Sequence, residues 1–176
     1  MTATGMFGVA LLVLMPALAY GQQSGPAGEV PPQLKPPEGA KLVFQVHAKG
    51  DQVYTCKQDG GQYSWILKAP DAQLFDQSGK AIGRHFGGPT WQLNDGSAVV
   101  GKVAARSDSP DKDSVPWLLL TASDHSGKGL LSNVTHIQRL STRGGKAPAV
   151  GCDASHAGAE TRVPYTADYF FYASEP

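Results

Sequence analysis

The chain has 176 residues, with 15 basic and 15 acidic side chains, and these numbers exclude several classes of protein. A length of ~100–200 residues is usual for one domain, and the balanced charge predicts neither a nucleic-acid partner nor an acidic, cation-binding surface. The 21 glycines and 13 prolines favour a fold with many tight turns over a bundle of long helices.

The N-terminal segment predicts a secretory signal peptide over residues 1–19. Met6–Ala19 is apolar but shorter than the ~20 residues that a membrane-spanning helix needs. Ala17-Leu18-Ala19 fits the small-residue cleavage pattern, although Met1–Gly5 carries no Lys or Arg. No Cys follows the apolar run, so we expect no stable membrane anchor after cleavage. The protein is predicted to be exported, to the periplasm or the medium; the alternatives are a short membrane anchor or a mispredicted start codon.

After the signal peptide, we predict a flexible lead-in rich in Pro, Gly and Gln over residues 20–38 and a single β domain over residues 39–176. Apolar side chains then alternate with a period of two, which is typical of strands with one face on a core. The alternating rows are Leu42, Phe44 and Val46; Tyr63, Trp65 and Leu67; Val99, Gly101, Val103 and Ala105; Trp117, Leu119 and Thr121; Val134, His136, Gln138 and Leu140; and Val163, Tyr165, Ala167, Tyr169 and Phe171.

Glycine-containing turns separate these rows. They are predicted at Lys49-Gly50-Asp51, Asp59-Gly60-Gly61, Gln77-Ser78-Gly79 and Asn94-Asp95-Gly96. Strands at this spacing predict an all-β fold, either an antiparallel sandwich or a partly closed barrel of about eight to ten strands. Leu118 and Leu120 fill the alternate positions of one strand, so that strand is predicted to be buried on both faces.

The two cysteines, Cys56 and Cys152, agree with export. Neither lies in a C-x-x-C pair, and in an oxidising compartment they most simply form one disulfide. Closing a loop of ~100 residues is worth ~4–5 kcal/mol in the chain-entropy description. The disulfide would also fasten the long connection over residues 142–162. Neither the cysteines nor the five histidines show the spacing of metal ligands, so we predict no metal site.

The order of motifs resembles the secreted domain-of-unknown-function 3455 family. The matching segments are Pro37-Glu38-Gly39, Val53-Tyr54-Thr55-Cys56, the run Gly83, His85, Gly88, Pro89, Thr90 and Trp91, then Gly96-Ser97, Pro116-Trp117-Leu118-Leu119, Ile137-Gln138-Arg139-Leu140-Ser141-Thr142, Gly144-Gly145, Gly151-Cys152 and Val163-Pro164-Tyr165-Thr166-Ala167-Asp168-Tyr169. The resemblance covers nearly the whole mature chain, but it implies no established reaction, ligand or cofactor.

The strongest candidate site is the segment Gly83–Trp91. Its glycines allow close backbone approach, and Pro89 fixes the bend into Trp91. Arg84 and His85 beside that ring form a tentative binding site for an anionic or sugar-like ligand. The competing interpretation is a tight corner with a core Trp and a hydrogen-bonded His.

Known catalytic motifs are absent from the sequence. No G-x-G-x-x-G opens a helix after a strand and no G-x-S-x-G elbow occurs, so we predict no cofactor and no catalytic residue. The leading hypothesis is an exported domain that binds a small molecule, glycan or surface partner. One alternative is a secreted, hydrolase-like enzyme whose site is assembled from separate strands. The other is a structural envelope or matrix protein.

Overall fold

The computed structural model describes Met1 and residues 29–174. Within these residues, eight antiparallel strands pair in sequence order and close into a barrel where the last strand pairs with the first. The strands are β1 (Ala40–Asp59), β2 (Gln62–Phe75), β3 (Ala81–Phe86), β4 (Thr90–Leu93), β5 (Ala98–Ser107), β6 (Trp117–Ser126), β7 (Val134–Gly144) and β8 (Glu160–Ser174). Short 3-10 helices lie at Pro32–Leu34 and Ala154–His156. The all-β prediction is confirmed, and the sheet forms a closed barrel rather than a sandwich.

Much of the N-terminal prediction cannot be placed on this fold. Apart from Met1, the predicted signal peptide over residues 1–19 lies outside the described residues, as do residues 20–28 of the predicted lead-in. No helix in the part of the chain that is described is long and apolar enough to cross a membrane.

Of the two glycine turns predicted near the start of the domain, one is confirmed and the other is wrong. Gly60 and Gly61 both have positive φ, at 56° and 86°, and connect β1 to β2 as a two-residue turn. Gly50 was expected in a turn, but it lies in the middle of the 20-residue strand β1. A Cβ there would lie 2.2 Å from the carbonyl oxygen of Asp71, so this glycine is required by the close approach of two strands.

The barrel interior contains the main core. Its buried apolar members are Val46, Ala48, Ala72, Leu74, Trp91, Leu93, Val99, Val115, Leu118, Leu120, Leu131, Val134, Ile137, Tyr165, Ala167, Tyr169 and Phe171. The predicted inward row of β8 is largely present in this set. As predicted, β6 is buried on both faces at its start, where Trp117–Leu120 are all buried.

The other face of β6 contributes to a second cluster on the outside of the barrel. This outer patch consists of Trp117, Leu119, Leu140 and Phe170, and it is covered by Leu34. Leu34 is fully buried and Val30 packs beside it, so residues 30–34 form a strap over the patch. This part of the predicted lead-in is therefore packed against the barrel.

A β-bulge changes which residues of β7 face inward. The pairing register with β8 shifts between Val134 and His136. Val134 and Ile137 both belong to the inner core, whereas Leu140 lies in the outer patch. The prediction of one continuous row through Val134, His136, Gln138 and Leu140 is wrong, because the bulge moves the strand by one residue and reverses its faces.

The long connection between β7 and β8 is fastened to the barrel wall. Cys56 and Cys152 form the predicted disulfide, with Cα atoms 5.4 Å apart. The hydroxyl of Tyr54 donates to the carbonyl of Gly145 at 2.6 Å, and the Trp65 indole donates to the carbonyl of Val150 at 2.9 Å. These contacts hold residues 145–159 against β1 and β2.

The short hairpin β3–β4 leaves a notch in the barrel wall between β2 and β5. β2 pairs with β3 only from Ala72 to Phe75, and β5 pairs with β4 only from Ala98 to Val100. The earlier part of β2 and the later part of β5 extend beyond this hairpin. The interior of the barrel therefore opens to solvent between them.

Candidate functional site

The notch leads into a cavity of about 270 Å³. Its inner wall is formed by Gln52, His85, Trp91, Leu118, Leu120, Arg139 and Tyr169. Its rim is formed by Leu67, Lys68, Ala69, Pro70, Gly88, Pro89, Val103 and Arg106. Leu67 and Val103, which are 51% and 47% exposed, form an apolar part of the mouth beside the cationic Lys68 and Arg106.

His85 and Trp91 reach the cavity because they lie opposite each other on β3 and β4. Their rings stack with centroids 4.3 Å apart and planes 12° apart. Tyr169 on β8 packs edge-on against both rings. The turn between the two strands depends on Gly88, whose φ of 124° is strained for other residues. The hairpin thus fixes an aromatic wall next to the opening.

Arg84 is not part of this site. It follows Gly83 and precedes His85 on β3, so its side chain lies on the outer face of the strand. Its guanidinium donates to Gln92 Oε1 at 3.0 and 3.2 Å and lies 4.8 Å from the ring centroid of Phe86. The structure brings together two of the three residues of the tentative binding site and separates the third.

His85 is neutral in this environment. Its Nδ1 donates to the carbonyl oxygen of Thr90 at 2.8 Å, which leaves Nε2 as a hydrogen-bond acceptor. Burial lowers the pKa of His85 to about 3, the hydrogen bond to Thr90 opposes this shift, and the charge of Arg139 adds to it. At neutral pH the ring therefore adds an acceptor and an apolar face to the cavity, but no charge.

Two buried tyrosines lie deeper in the barrel. Burial raises the pKa of both Tyr165 and Tyr169, and the charge of Arg139 only partly offsets this. Both hydroxyls consequently remain protonated at neutral pH and can donate hydrogen bonds. They lie near each other, and Gln52 is close to Tyr165, but neither hydroxyl makes a hydrogen bond of ordinary geometry.

The interior concentrates the unsatisfied polar atoms of the fold. Five buried side-chain polar atoms in the described part of the chain have no hydrogen-bond partner. Four of them lie inside the barrel, namely Gln52 Nε2, Trp91 Nε1, Tyr165 OH and Tyr169 OH. The fifth, Trp117 Nε1, lies in the outer patch. Native proteins rarely leave buried polar atoms unpaired. Four such atoms lie in this interior, and three belong to residues that line the cavity, which marks it as the candidate site.

Other depressions of the surface lack this property. Two larger ones, of about 440 and 540 Å³, are lined partly by His47 and by Arg84. None of the five unpartnered atoms belongs to a residue that lines either of them. The described residues also contain no group of three or more His, Cys, Asp or Glu side chains that could hold a metal ion.

Arg139 and Gln52 are site residues that sequence reasoning missed. The bulge in β7 places Arg139 on the inward face, where its Nε and Nη2 donate to the carbonyl of Pro116 at 3.1 and 2.9 Å. Gln52 follows Val46 and Ala48 at even spacing along β1 and is 1% exposed. The inward position of Gln52 could have been predicted by extending the row of Val46 and Ala48. The inward position of Arg139 could not, because the bulge in β7 changes which residues face inward.

The comparisons with known proteins give a family and no activity. A family model described as "Protein of unknown function (DUF3455)" matches residues 36–173. No curated protein and no solved structure matches the chain. The match includes all eight strands almost completely, and with them every residue that lines the cavity.

Proposed function

The chain belongs to the DUF3455 family, and we propose that it is a binding protein that holds a small organic molecule inside its barrel. The observation that carries this proposal is the group of four unpartnered polar atoms inside the barrel, three of them on residues that line a cavity open to solvent. A ligand with acceptor atoms would complete the hydrogen bonding of those three residues, Gln52, Trp91 and Tyr169.

The energetics of burial support this interpretation. A buried polar atom without a partner costs ~1–3 kcal/mol, and an apolar side chain of similar size would avoid that cost. A protein that needed only a stable barrel would gain by replacing Gln52 and the hydroxyl of Tyr169. Binding of a complementary molecule gives these groups a reason to be polar, and it would raise the stability of the loaded protein.

The size and the wall of the cavity fit a small molecule. Sites for drug-sized ligands are usually ~300–1,000 Å³ and mostly apolar with a few placed polar groups. The volume of about 270 Å³ lies just below that range. The residues of the wall combine apolar Leu118 and Leu120 with Gln52 and Tyr169, whose side chains carry unpartnered polar atoms. A flat molecule with one polar end would match this arrangement.

The geometry supports binding better than hydrolysis. An acid–base pair needs a histidine within hydrogen-bond reach of a carboxylate or hydroxyl group. His85 is instead held by the backbone carbonyl of Thr90. The pairs His47–Asp168, His156–Asp153 and His136–Thr135 have such contacts, at 2.9, 2.8 and 3.0 Å, but none of these residues lines the cavity.

We also propose that the protein works outside the cytoplasm. The disulfide between Cys56 and Cys152 supports this, because such bonds persist in oxidising compartments. Mass spectrometry of protein from its natural host should give an N-terminus after Ala19 and a mass two hydrogens below the fully reduced value. An intact N-terminus or two free thiols would contradict export.

Binding can be tested with N-phenyl-1-naphthylamine, a neutral dye that becomes fluorescent in apolar surroundings. We expect saturable fluorescence with the wild-type protein. Leu67→Trp places a larger ring in the mouth of the cavity and should weaken the binding by about tenfold or more. The control is Ile66→Trp, because Ile66 is also exposed and precedes Leu67 in β2 but does not line the cavity. This control should bind the dye as the wild type does.

Two results would overturn the proposal. One is the absence of saturable dye binding, which would leave ordered water as the partner of the interior polar atoms. The other is equal binding by Leu67→Trp and Ile66→Trp, which would place the dye elsewhere on the protein. Circular dichroism spectra of both variants should match the wild type, so that a loss of binding is not a loss of fold.

A further inference from the structure

The charged side chains that line the cavity are all cationic. Lys68, Arg106 and Arg139 line it, and no Asp or Glu side chain lines it in the part of the chain that is described. Lys68 forms an ion pair with Glu160 at the surface. Arg106 and Arg139 form no ion pair with any described residue. The lining therefore carries an excess of positive charge, although the whole chain has balanced charge.

Arg139 is the deepest of the three cations. Its guanidinium is held by two hydrogen bonds to the carbonyl of Pro116, which is a neutral acceptor. Its charge influences Tyr54, His85, Tyr165 and Tyr169, which places it within electrostatic reach of the barrel interior. Arg139 is half-buried, and no described carboxylate pairs with it.

The unpartnered groups beside Arg139 are mainly donors. Gln52 Nε2 and Trp91 Nε1 can only donate, and the hydroxyl of Tyr169 remains protonated. An arrangement of one cation and several N–H and O–H donors is complementary to an anionic group with two or three oxygens. The remaining wall, with Leu118 and Leu120, and the apolar part of the mouth suit the hydrocarbon part of a ligand.

From this arrangement we propose that the ligand is a small organic carboxylate with an apolar body, whose carboxylate lies against Arg139, Tyr169 and Gln52. This inference rests on the proposed binding function and adds the chemical class of the ligand. The hydrocarbon part lies between Trp91 and Leu120, towards the mouth formed by Leu67 and Val103. The carboxylate supplies acceptors for the donors that the fold leaves unpaired.

The test compares 2-naphthoate with 2-naphthamide, which has nearly the same shape and no charge. Each is titrated against wild-type protein carrying N-phenyl-1-naphthylamine, and its dissociation constant is obtained from displacement of the dye. We expect 2-naphthoate to bind about tenfold or more tightly than the amide, the effect of adding one charge-assisted contact. Equal constants for the two compounds, with dye binding intact, would overturn the proposal and leave the binding function standing.

Arg139→Gln removes the charge but keeps a donor for the carbonyl of Pro116. We expect this variant to lose the preference for 2-naphthoate over 2-naphthamide, with both constants measured on the same variant so that a general change in affinity cancels. The matched control is Arg84→Gln, the same change on the outer face of β3, and it should keep the preference. A preference that survives Arg139→Gln, or that is lost in Arg84→Gln, would contradict the assignment.

A second variant covers the case in which Arg139→Gln does not fold. Tyr169→Phe deletes one hydroxyl from a ring that otherwise keeps its packing against Trp91. We expect it to weaken the binding of 2-naphthoate by about threefold to tenfold and that of 2-naphthamide by less, because a hydrogen bond to a charged acceptor is the stronger one. Equal weakening of both compounds would contradict the assignment of this hydroxyl to the carboxylate. If the dye binds to none of these proteins, the proposed function itself fails.

Discussion

Two buried glutamines show how the interior of this barrel differs from its outer patch. Gln138 is 3% exposed and lies beneath the strap, where its Nε2 donates to the carbonyl of Leu34 at 2.5 Å and its Oε1 accepts from Tyr172 at 2.6 Å. Gln52 is 1% exposed and lies inside, where its Nε2 has no partner. A buried glutamine thus stabilises the fold in the outer patch, whereas in the interior a buried glutamine has a donor without a partner.

This difference separates stability from binding in the molecule. In the outer patch, Leu34 covers apolar side chains and joins one hydrogen-bond chain with Gln138 and Tyr172. In the interior, four buried polar atoms lack partners, and three of them belong to residues that line the cavity. Substitutions in the outer patch should therefore lower the free energy of unfolding and leave ligand binding unchanged. Changes of polar groups in the interior should alter binding more than stability.

The largest expected effect comes from the disulfide. Replacing Cys56 and Cys152 together by Ala should lower the free energy of unfolding by ~4–5 kcal/mol, because a loop of ~100 residues is no longer closed in the unfolded chain. Urea unfolding measures this change. Amide hydrogen exchange should accelerate in residues 145–159, which the disulfide fastens to β1, more than beneath the strap. A change under 1 kcal/mol, or exchange that accelerates first in the strap, would contradict this division of the molecule.

Leu34→Ala tests the outer patch directly. Leu34 is fully buried, so its truncation should lower the free energy of unfolding by ~2–5 kcal/mol. Leu130→Ala is the control, because Leu130 is exposed and should contribute little. Dye binding in the cavity should be the same in both variants. If the two variants are equally stable, the packing of the strap on the outer patch does not contribute to stability.

His85 makes the interior sensitive to acid. Its pKa is about 3 in the folded protein and about 6.5 when unfolded, so the unfolded chain takes up a proton that the folded chain does not. Stability therefore falls as the pH drops below about 6.5, by ~2–3 kcal/mol between pH 7.5 and pH 4.5. His85→Asn, which can still donate to the carbonyl of Thr90, should lack this part of the pH dependence. Urea unfolding at both pH values gives the difference, and parallel pH profiles of variant and wild type would argue against a neutral, buried His85.

Gln138→Met should have a smaller effect. It leaves the carbonyl of Leu34 and the hydroxyl of Tyr172 without their partner, at a cost of ~1–3 kcal/mol. Gln62→Met on the exposed first hairpin is the matched control, with an expected change below ~0.5 kcal/mol. Thermal unfolding compares the two. A Gln138 variant as stable as this control would show that the hydrogen-bond chain beneath the strap contributes nothing.

The strands could be predicted because alternation is a local property. Tyr165, Ala167, Tyr169 and Phe171 lie on one face whatever the rest of the chain does, and all four face inward. The same alternation brings His85 into the interior and excludes its neighbour Arg84. Bulges are set by tertiary packing, and the bulge of β7 therefore concealed that Arg139 faces inward.

The strap and the cavity could not be predicted from the sequence, because they depend on contacts between distant segments. Leu34 lies between prolines in a segment without periodicity, and only Trp117 and Phe170, far along the chain, give it a surface to cover. Gln52 resembles a solvent-facing residue when it is viewed alone. The cavity exists because β3 and β4 are shorter than β2 and β5, and strand lengths are poorly defined by sequence patterns.

The most direct test of the central claim is the free energy of unfolding of Gln52→Met in urea, measured beside Gln138→Met. Because Gln52 Nε2 has no partner to lose, we predict that Gln52→Met is as stable as the wild type or more stable by up to ~1 kcal/mol. A loss as large as that of Gln138→Met would show that Gln52 is part of the folding framework and would contradict the view of the interior as a binding site.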